Sequence, residues 1–322
     1  MKRRRFGLCL VALSMLAAAA SAAAADYPER MVKLIVSLPP GSGADTTARF
    51  IAKHLTEKFG QPFVVENKPG ANSFIAAKAV AEAAPDGYTV FVASNSPMVT
   101  NAAVFKSLPY DPIKDFAPVA RIARFPMVLA VPANSPYMTL DSLVAAVRSA
   151  PGKLNYASGT PTYQVALELF HEGRGIRATP IPYKGTSLAI SDLAAGTVDY
   201  SMAEVSAVMP LIRAGKVRAL AVTSTERLKD LPQVPTIAES GSKGYESYAW
   251  TGMFAPAKVP EKIVSRLSQA VREILMTEEG ARFMDSLGGS TFPGGPQQLR
   301  DFQLSEIDKT KRIVKVAGIH QE

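Results

Sequence analysis

The chain has 322 residues, enough for two compact domains, and 47% hydrophobic residues describe a globular chain rather than a disordered one. Its formal net charge is +8, but Lys2, Arg3, Arg4 and Arg5 carry half of that, and the other Lys and Arg alternate with acids, so no nucleic-acid partner is expected. The only cysteine is Cys9, which leaves no disulfide framework and no thiolate metal site for the rest of the chain.

Residues 1–25 read as a secretory signal peptide: four cations, an apolar run over 6–20, then Ser21 and Ala22, Ala23, Ala24, Ala25 before Asp26. Cleavage is expected near Ala25, although Ala23 also fits the small-residue rule. The net charge of +8, less those four cations, falls to +4. The apolar run is short for a membrane anchor, and Cys9 lies too early in it for a lipoprotein anchor.

From Val32 onward strand-like and helix-like segments alternate, which predicts an α/β fold with mostly parallel sheets. Strands are expected at 32–37, 63–66, 89–93, 127–131, 154–157, 178–181, 200–202 and 219–223. Helices are expected at 44–59, 73–83, 139–149, 161–172, 187–195, 206–214, 260–276 and 298–316. The first joint, Leu38-Pro39-Pro40-Gly41-Ser42-Gly43-Ala44-Asp45, leads a buried strand through a tight turn into a helix with an apolar stripe at Ala48, Ile51, Ala52, Leu55 and Phe59. A helix start of this kind gathers unpaired N–H groups and positive potential, which favours a carboxylate or phosphate. Two other readings stay open at this point. The glycines can serve only a turn, with Asp45 or Ser42 as a helix cap. Alternatively Gly-Ser-Gly-Ala-Asp-Thr imitates a dinucleotide loop with Glu66 downstream, but Thr46 stands where the third glycine belongs and Asp45 opposes a pyrophosphate.

The same chemistry recurs at later joints: Gly70-Ala71-Asn72-Ser73, Ser94-Asn95-Ser96-Pro97, Ser158-Gly159-Thr160-Pro161-Thr162 and Lys184-Gly185-Thr186-Ser187. In an open α/β sheet such joints share the carboxyl edge of the strands, where ligands bind. Catalytic parts are sparse. His54, His171 and His320 are scattered, no serine joint has a histidine nearby in sequence, and no nucleophile elbow, phosphate loop or zinc-protease motif occurs. Donors without a base predict binding rather than turnover, with no metal and no cofactor. A secreted α/β hydrolase acting on a carboxylate derivative is the alternative.

These stretches closely resemble the Bug receptors, the TctC-like solute-binding proteins of tripartite tricarboxylate transport systems, over essentially the whole chain after the signal. The most specific pieces are Pro39-Pro40-Gly41 with Asp45 and Ala48-Arg49, Val64-Val65-Glu66-Asn67 with Gly70-Ala71, and Pro85-Asp86-Gly87-Tyr88-Thr89. Pro182-Tyr183-Lys184-Gly185, Asp192-Leu193 with Gly196, and Ala214-Gly215-Lys216-Val217-Arg218-Ala219 follow in order. The resemblance implies a periplasmic binding protein of type II-like fold, with two lobes closing on a small carboxylate, amino acid or aromatic acid or amide. It further implies delivery to the membrane subunits of a transporter, and a monomer. Lobe 1 is expected at 26–126 and 246–322 and lobe 2 at 127–245, with hinges at Phe125-Pro126 and Tyr248-Trp250. Carried over residue by residue, the pocket would use Gly41, Ser42, Gly43 and Asp45, then Asn72 and Ser73, then Ser94, Asn95 and Ser96. Facing them would be Ser158, Gly159, Thr160 and Thr162, then Lys184, Gly185 and Thr186, with Ala203 and Glu204. Three places depart from the family pattern: Asn72-Ser73 replace two glycines, the loop from Ala157 to Gln164 is about two residues short, and Ala203-Glu204 stand where an acid beside Asn is common.

Overall fold

A computed structural model describes residues 27–319 and 321, so the expected signal peptide and His320 lie outside the described residues. Strand β1 (Val32–Val36) runs parallel to both β2 (Phe63–Asn67) and β3 (Thr89–Ser94) and is enclosed between them. A strand enclosed on both faces needs apolar side chains on both, which is why Leu34, Ile35 and Val36 follow one another without alternation, while Lys33 near its start stays exposed. Helix α1 (Gly43–Phe59) joins β1 to β2 and packs the expected stripe of Ala48, Ile51, Ala52 and Leu55 into the core. It stops at Gly60, whose left-handed backbone returns its N–H to the Thr56 carbonyl. A left-handed turn at Ala71–Ser73 leads into α2 (Phe74–Ala81), and β3 runs on through a single π-helical turn, Ser96–Thr100, into α3 (Asn101–Val104).

The spine of the molecule is β4 (Phe116–Pro132). Its first part pairs antiparallel with β9 (Tyr248–Pro256) and β10 (Ser290–Gly294), and its last part pairs with β7 (Tyr200–Glu204) and β8 (Val217–Val222). Strand β7 lies parallel to β5 (Asn155–Ser158), which in turn pairs with β6 (Thr179–Pro182). The order is β2-β1-β3-β9-β4-β7-β5-β6, with β8 and β10 both pairing with β4. The sheet is therefore mixed, not mostly parallel as the alternation predicted, because the strands that join its halves are antiparallel returns rather than crossovers.

Helices α4 (Leu140–Ser149), α5 (Pro161–Arg174), α6 (Thr186–Ala195) and α7 (Val205–Arg213) cover the part of the sheet built on β5–β8. Helices α8 (Glu261–Leu275), α9 (Glu278–Ser286) and α10 (Pro296–Ala317) belong to the other part. Apolar side chains between Met127 and Tyr245 form one core, and those of 27–125 and 249–314 form separate clusters, so burial changes hands where β4 passes Phe125 and Met127. Helix α5 bridges the two. Its Thr162 hydroxyl bonds those of Ser96 (3.3 Å) and Thr100 (3.0 Å), Val165 packs on Ala103, Val104 and Val314, and Glu172 pairs with Arg312 at 2.6 Å.

Candidate functional site: a cleft at the start of helix α1

Past β1 the chain turns at Gly41, whose φ of +83° suits glycine and strains any side chain. The next residues settle where each N–H of the helix start goes. Gly41 N–H donates to Asp45 Oδ2 (2.9 Å), Asp45 N–H to Ser42 Oγ (3.3 Å) and Thr46 N–H to the Ser42 carbonyl (2.9 Å). The N–H groups of Gly43 and Ala44 are left without an acceptor among the described residues. Ser42, not Asp45, is therefore the cap.

Asp45 does different work. Its side chain is buried behind the turn, where it also accepts from Arg49 Nε (3.0 Å) and Asn67 Nδ2 (2.9 Å). Burial alone would raise its carboxyl, but the bonds from Arg49, Gly41 and Asn67, with the Arg49 charge, outweigh it and hold the group below the ordinary carboxylate range. A dinucleotide would need space and positive potential under this loop, and the Asp45 carboxylate fills that place. Glu66, expected on a ribose in that alternative, pairs with Lys33 and Lys68.

Gly43 and Ala44, which carry these two N–H groups, line a cleft of about 620 Å³, within the range of small-molecule sites. Of the residues expected at the site, Gly41, Ser42, Gly43, Ser94, Thr160, Lys184, Gly185, Thr186 and Glu204 line it. Thr160 caps α5 and Gly185 precedes α6, so lobe-facing helix starts approach the cleft from the far side as well. Gly159 sets their spacing: a Cβ there would lie 2.5 Å from the Thr186 Cα, so only glycine lets the two loops touch.

Opposite α1 stands Glu204, at the end of β7. Tyr163 Oη donates to its Oε1 at 3.1 Å, and its Oε2 faces Gly43, where an added Cβ would lie 3.4 Å away. Burial pushes the Glu204 carboxyl up, and the Tyr163 bond offsets only part of this. The Tyr163 hydroxyl is itself held well above its usual value, first by burial and then by the Glu204 charge, so it stays a neutral donor. Glu204 makes no ion pair among the described residues, and neither does Lys184.

The other expected residues have local partners. Asn95 donates to the Tyr248 carbonyl (3.1 Å) and accepts the Trp250 N–H (2.8 Å), pinning β9 to the end of β3. Ser96 and Thr162 bond each other in the α5 seam. Asn72 and Ser73 lie in the left-handed turn, where the Asn72 carbonyl accepts from Asn101 Nδ2 at 2.8 Å, and neither lines this cleft. Ser158 and Ala203 are buried within β5 and β7. Sequence reasoning missed Tyr163, Leu188, Thr251 and Leu287 and placed Phe125 and Trp250 only at the hinges; all six line the cavity. The Thr251 hydroxyl and Trp250 Nε1 are buried without a hydrogen-bond partner among the described residues. Thr251 is opposite Ser94 in the β3–β9 ladder, a neighbourhood that no short-range signal reveals. A hydrolase would need a base beside Ser42 or Ser94. Among the described residues no histidine lines the cleft, and His171 is buried with Nε2 at 2.7 Å from the Tyr200 hydroxyl. No group of His, Cys, Asp or Glu among the described residues could hold a metal, and no described helix is long and apolar enough to cross a membrane.

The profile described as "Tripartite tricarboxylate transporter family receptor" matches residues 47–319. Protein BugT of Bordetella pertussis is 34% identical over 303 residues, 93% of this chain and 93% of its own length. Among solved structures, R. palustris Rpa4515 with adipate superposes at a TM-score of 0.84 with 36% identity, covering 91% of this chain and 99% of that one. MatC from Rhodopseudomonas palustris with bound malate gives a TM-score of 0.79 with 33% identity, covering 89% and 100%.

Proposed function

The chain belongs to the tripartite tricarboxylate transporter receptor family, and from that premise we propose that it is a periplasmic receptor that captures a small organic carboxylate in the cleft at the start of α1. The observation that carries this reading is the pair of N–H groups at Gly43 and Ala44, which have no acceptor among the described residues and belong to residues that line the cavity. Donors at a helix start favour an anion and need no reorganisation to receive one. Lys184, which lines the cavity and makes no ion pair among the described residues, suits the rest of an acid. That structures of relatives hold adipate and malate supports a carboxylate of this size.

Lobe 1 in this reading is 26–126 with 246–322 and lobe 2 is 127–245, with hinges at Phe125-Pro126 and Tyr248-Trp250. The change of core at those positions supports the division. Closure would bring Glu204, Lys184, Gly185 and Thr186 onto an anion already held by Ser42, Gly43 and Ala44. The solute would then pass to the membrane subunits of a transporter, with the receptor acting as a monomer without cofactor and without turnover. A thermal-shift titration against mono-, di- and tricarboxylates and amino acids tests this. One-to-one stabilisation is expected, worth about 2.7 kcal/mol at a hundredfold excess over Kd. No shift with any carboxylate would overturn the reading.

A further inference from the structure

We propose that Glu204 receives the captured carboxylate as a neutral acid, so that each solute molecule entering the cleft brings one proton with it. This rests on the carboxylate reading above and adds to it the protonation state in which capture occurs.

Geometry sets the problem. Glu204 Oε1 is occupied by the Tyr163 hydroxyl, while Oε2 lies against the first residue of α1. A solute carboxylate hanging from the Gly43 and Ala44 N–H groups would sit where Oε2 points. Two carboxylates at hydrogen-bond distance do not both ionise, so one of them must hold a proton. The solute has the two N–H donors and the helix end to stabilise its charge. Glu204 has neither.

The other charged and titratable groups around it do not supply a counter-charge. Tyr163 on α5 is a neutral donor to Oε1, and Lys184 before α6 lines the cleft but makes no ion pair with Glu204. Asp45 on α1 is turned away into its bonds with Arg49, Asn67 and the Gly41 N–H. The first turn of α7, Val205, Ser206 and Ala207, carries no charge, and the residue paired with Glu204 on β4 is Met127. Desolvation raises the carboxyl, with the Tyr163 bond offsetting part of the rise, and an anion beside Oε2 would raise it further. The proton comes from solvent to Oε2, and the resulting O–H donates to a solute oxygen. The bound pair carries one negative charge, matched to the Gly43 and Ala44 N–H groups.

Titration calorimetry with adipate and malate, from pH 5 to 9 in paired buffers of different ionisation heat, reads the proton directly. The wild-type protein is expected to take up close to one proton per solute in the upper part of that range, with affinity falling up to tenfold per pH unit there. Glu204→Gln offers a permanent N–H donor at the same place. It should bind without proton uptake beyond the solute's own titration and hold the solute at pH 9 at least tenfold more tightly than wild type. If Glu204 instead accepts a donor from the solute as an ion, the wild type takes up no proton and Glu204→Gln binds more weakly at every pH, which overturns the inference and leaves the receptor reading standing. If no carboxylate binds either protein, the reading of the cleft falls and the inference with it.

Discussion

Replacing Gly43 by proline should remove a ligand donor without touching the fold. Gly43 is the first helical residue of α1, and its N–H has no acceptor among the described residues. Proline is favoured at that position, and Ser42 before it already has φ −69° and ψ 158°, the extended conformation a following proline demands. The loss of backbone freedom in the unfolded chain should add about 0.4–1 kcal/mol of stability. A Cβ at Gly43 makes only an ordinary 3.4 Å contact with Glu204 Oε2. The solute, however, loses one hydrogen bond to its charge, about 1.5–3 kcal/mol, or about 10- to 150-fold in Kd. Gly43→Ala places a carbon at the same point but keeps the N–H, and should stay within about threefold of wild type. Urea unfolding and calorimetry on both variants separate the effects. Wild-type affinity in Gly43→Pro would refute the idea that these N–H groups hold the anion.

Asp45→Asn should cost about 2–3 kcal/mol at pH 7, because a buried carboxylate accepting from Gly41, Arg49 and Asn67 is lost while water reaches two of the three donors. The Asp45 carboxyl is held below its unfolded value, so its contribution is full above the unfolded pKa and vanishes as pH falls through the folded one. Urea midpoints of wild type and variant should therefore converge in acid, and a gap that does not change with pH would count against the charge as its source. Gly159→Ala, with its Cβ 2.5 Å from the Thr186 Cα, should cost about 1–3 kcal/mol and weaken binding too by displacing the wall at Gly185 and Thr186. Loss of stability with unchanged affinity would show that this contact does not shape the cleft. Small-angle scattering should show a smaller radius of gyration with saturating solute, and an unchanged radius would refute lobe closure.

The segments that were legible in the sequence are those whose signals are local. The strand, turn and helix at 32–59 announce themselves through an apolar run, Pro39-Pro40-Gly41 and a 3.6-residue stripe, and the structure has all three. Strand β4 was expected only at 127–131. The observed strand also takes in Pro118 and Pro126: the register shift between Pro118 and Ala120 absorbs one, and the other stands opposite Tyr248 in the ladder. Strand β9 was missed outright because Gly252 interrupts its pattern, yet that glycine lies where a Cβ would meet Leu299 at 3.2 Å and Phe254 at 3.3 Å. The short α9 and β10 were also absent from the reading.

At the site, the chemistry of the joints was readable and their use was not. Ser94 and Asn95 are neighbours of similar polarity, but Ser94 faces the cavity while Asn95 is consumed holding β9. Such a difference depends on strands that meet far apart in sequence. Thr251, its hydroxyl buried without a hydrogen-bond partner among the described residues, reaches the site only through its place beside Ser94.

The central claim is that an acid is held by the start of α1 and met by Glu204 from the other side. A crystal structure of the protein with adipate, or with the carboxylate that co-purifies with it, tests this most directly. One solute oxygen is expected within hydrogen-bond distance of both the Gly43 and Ala44 N–H groups, with another contact from that carboxylate to Glu204 Oε2. A carboxylate seated instead in the crevice lined by Arg124, Lys243, Lys309 and Arg312, with the start of α1 facing only solvent, would contradict it.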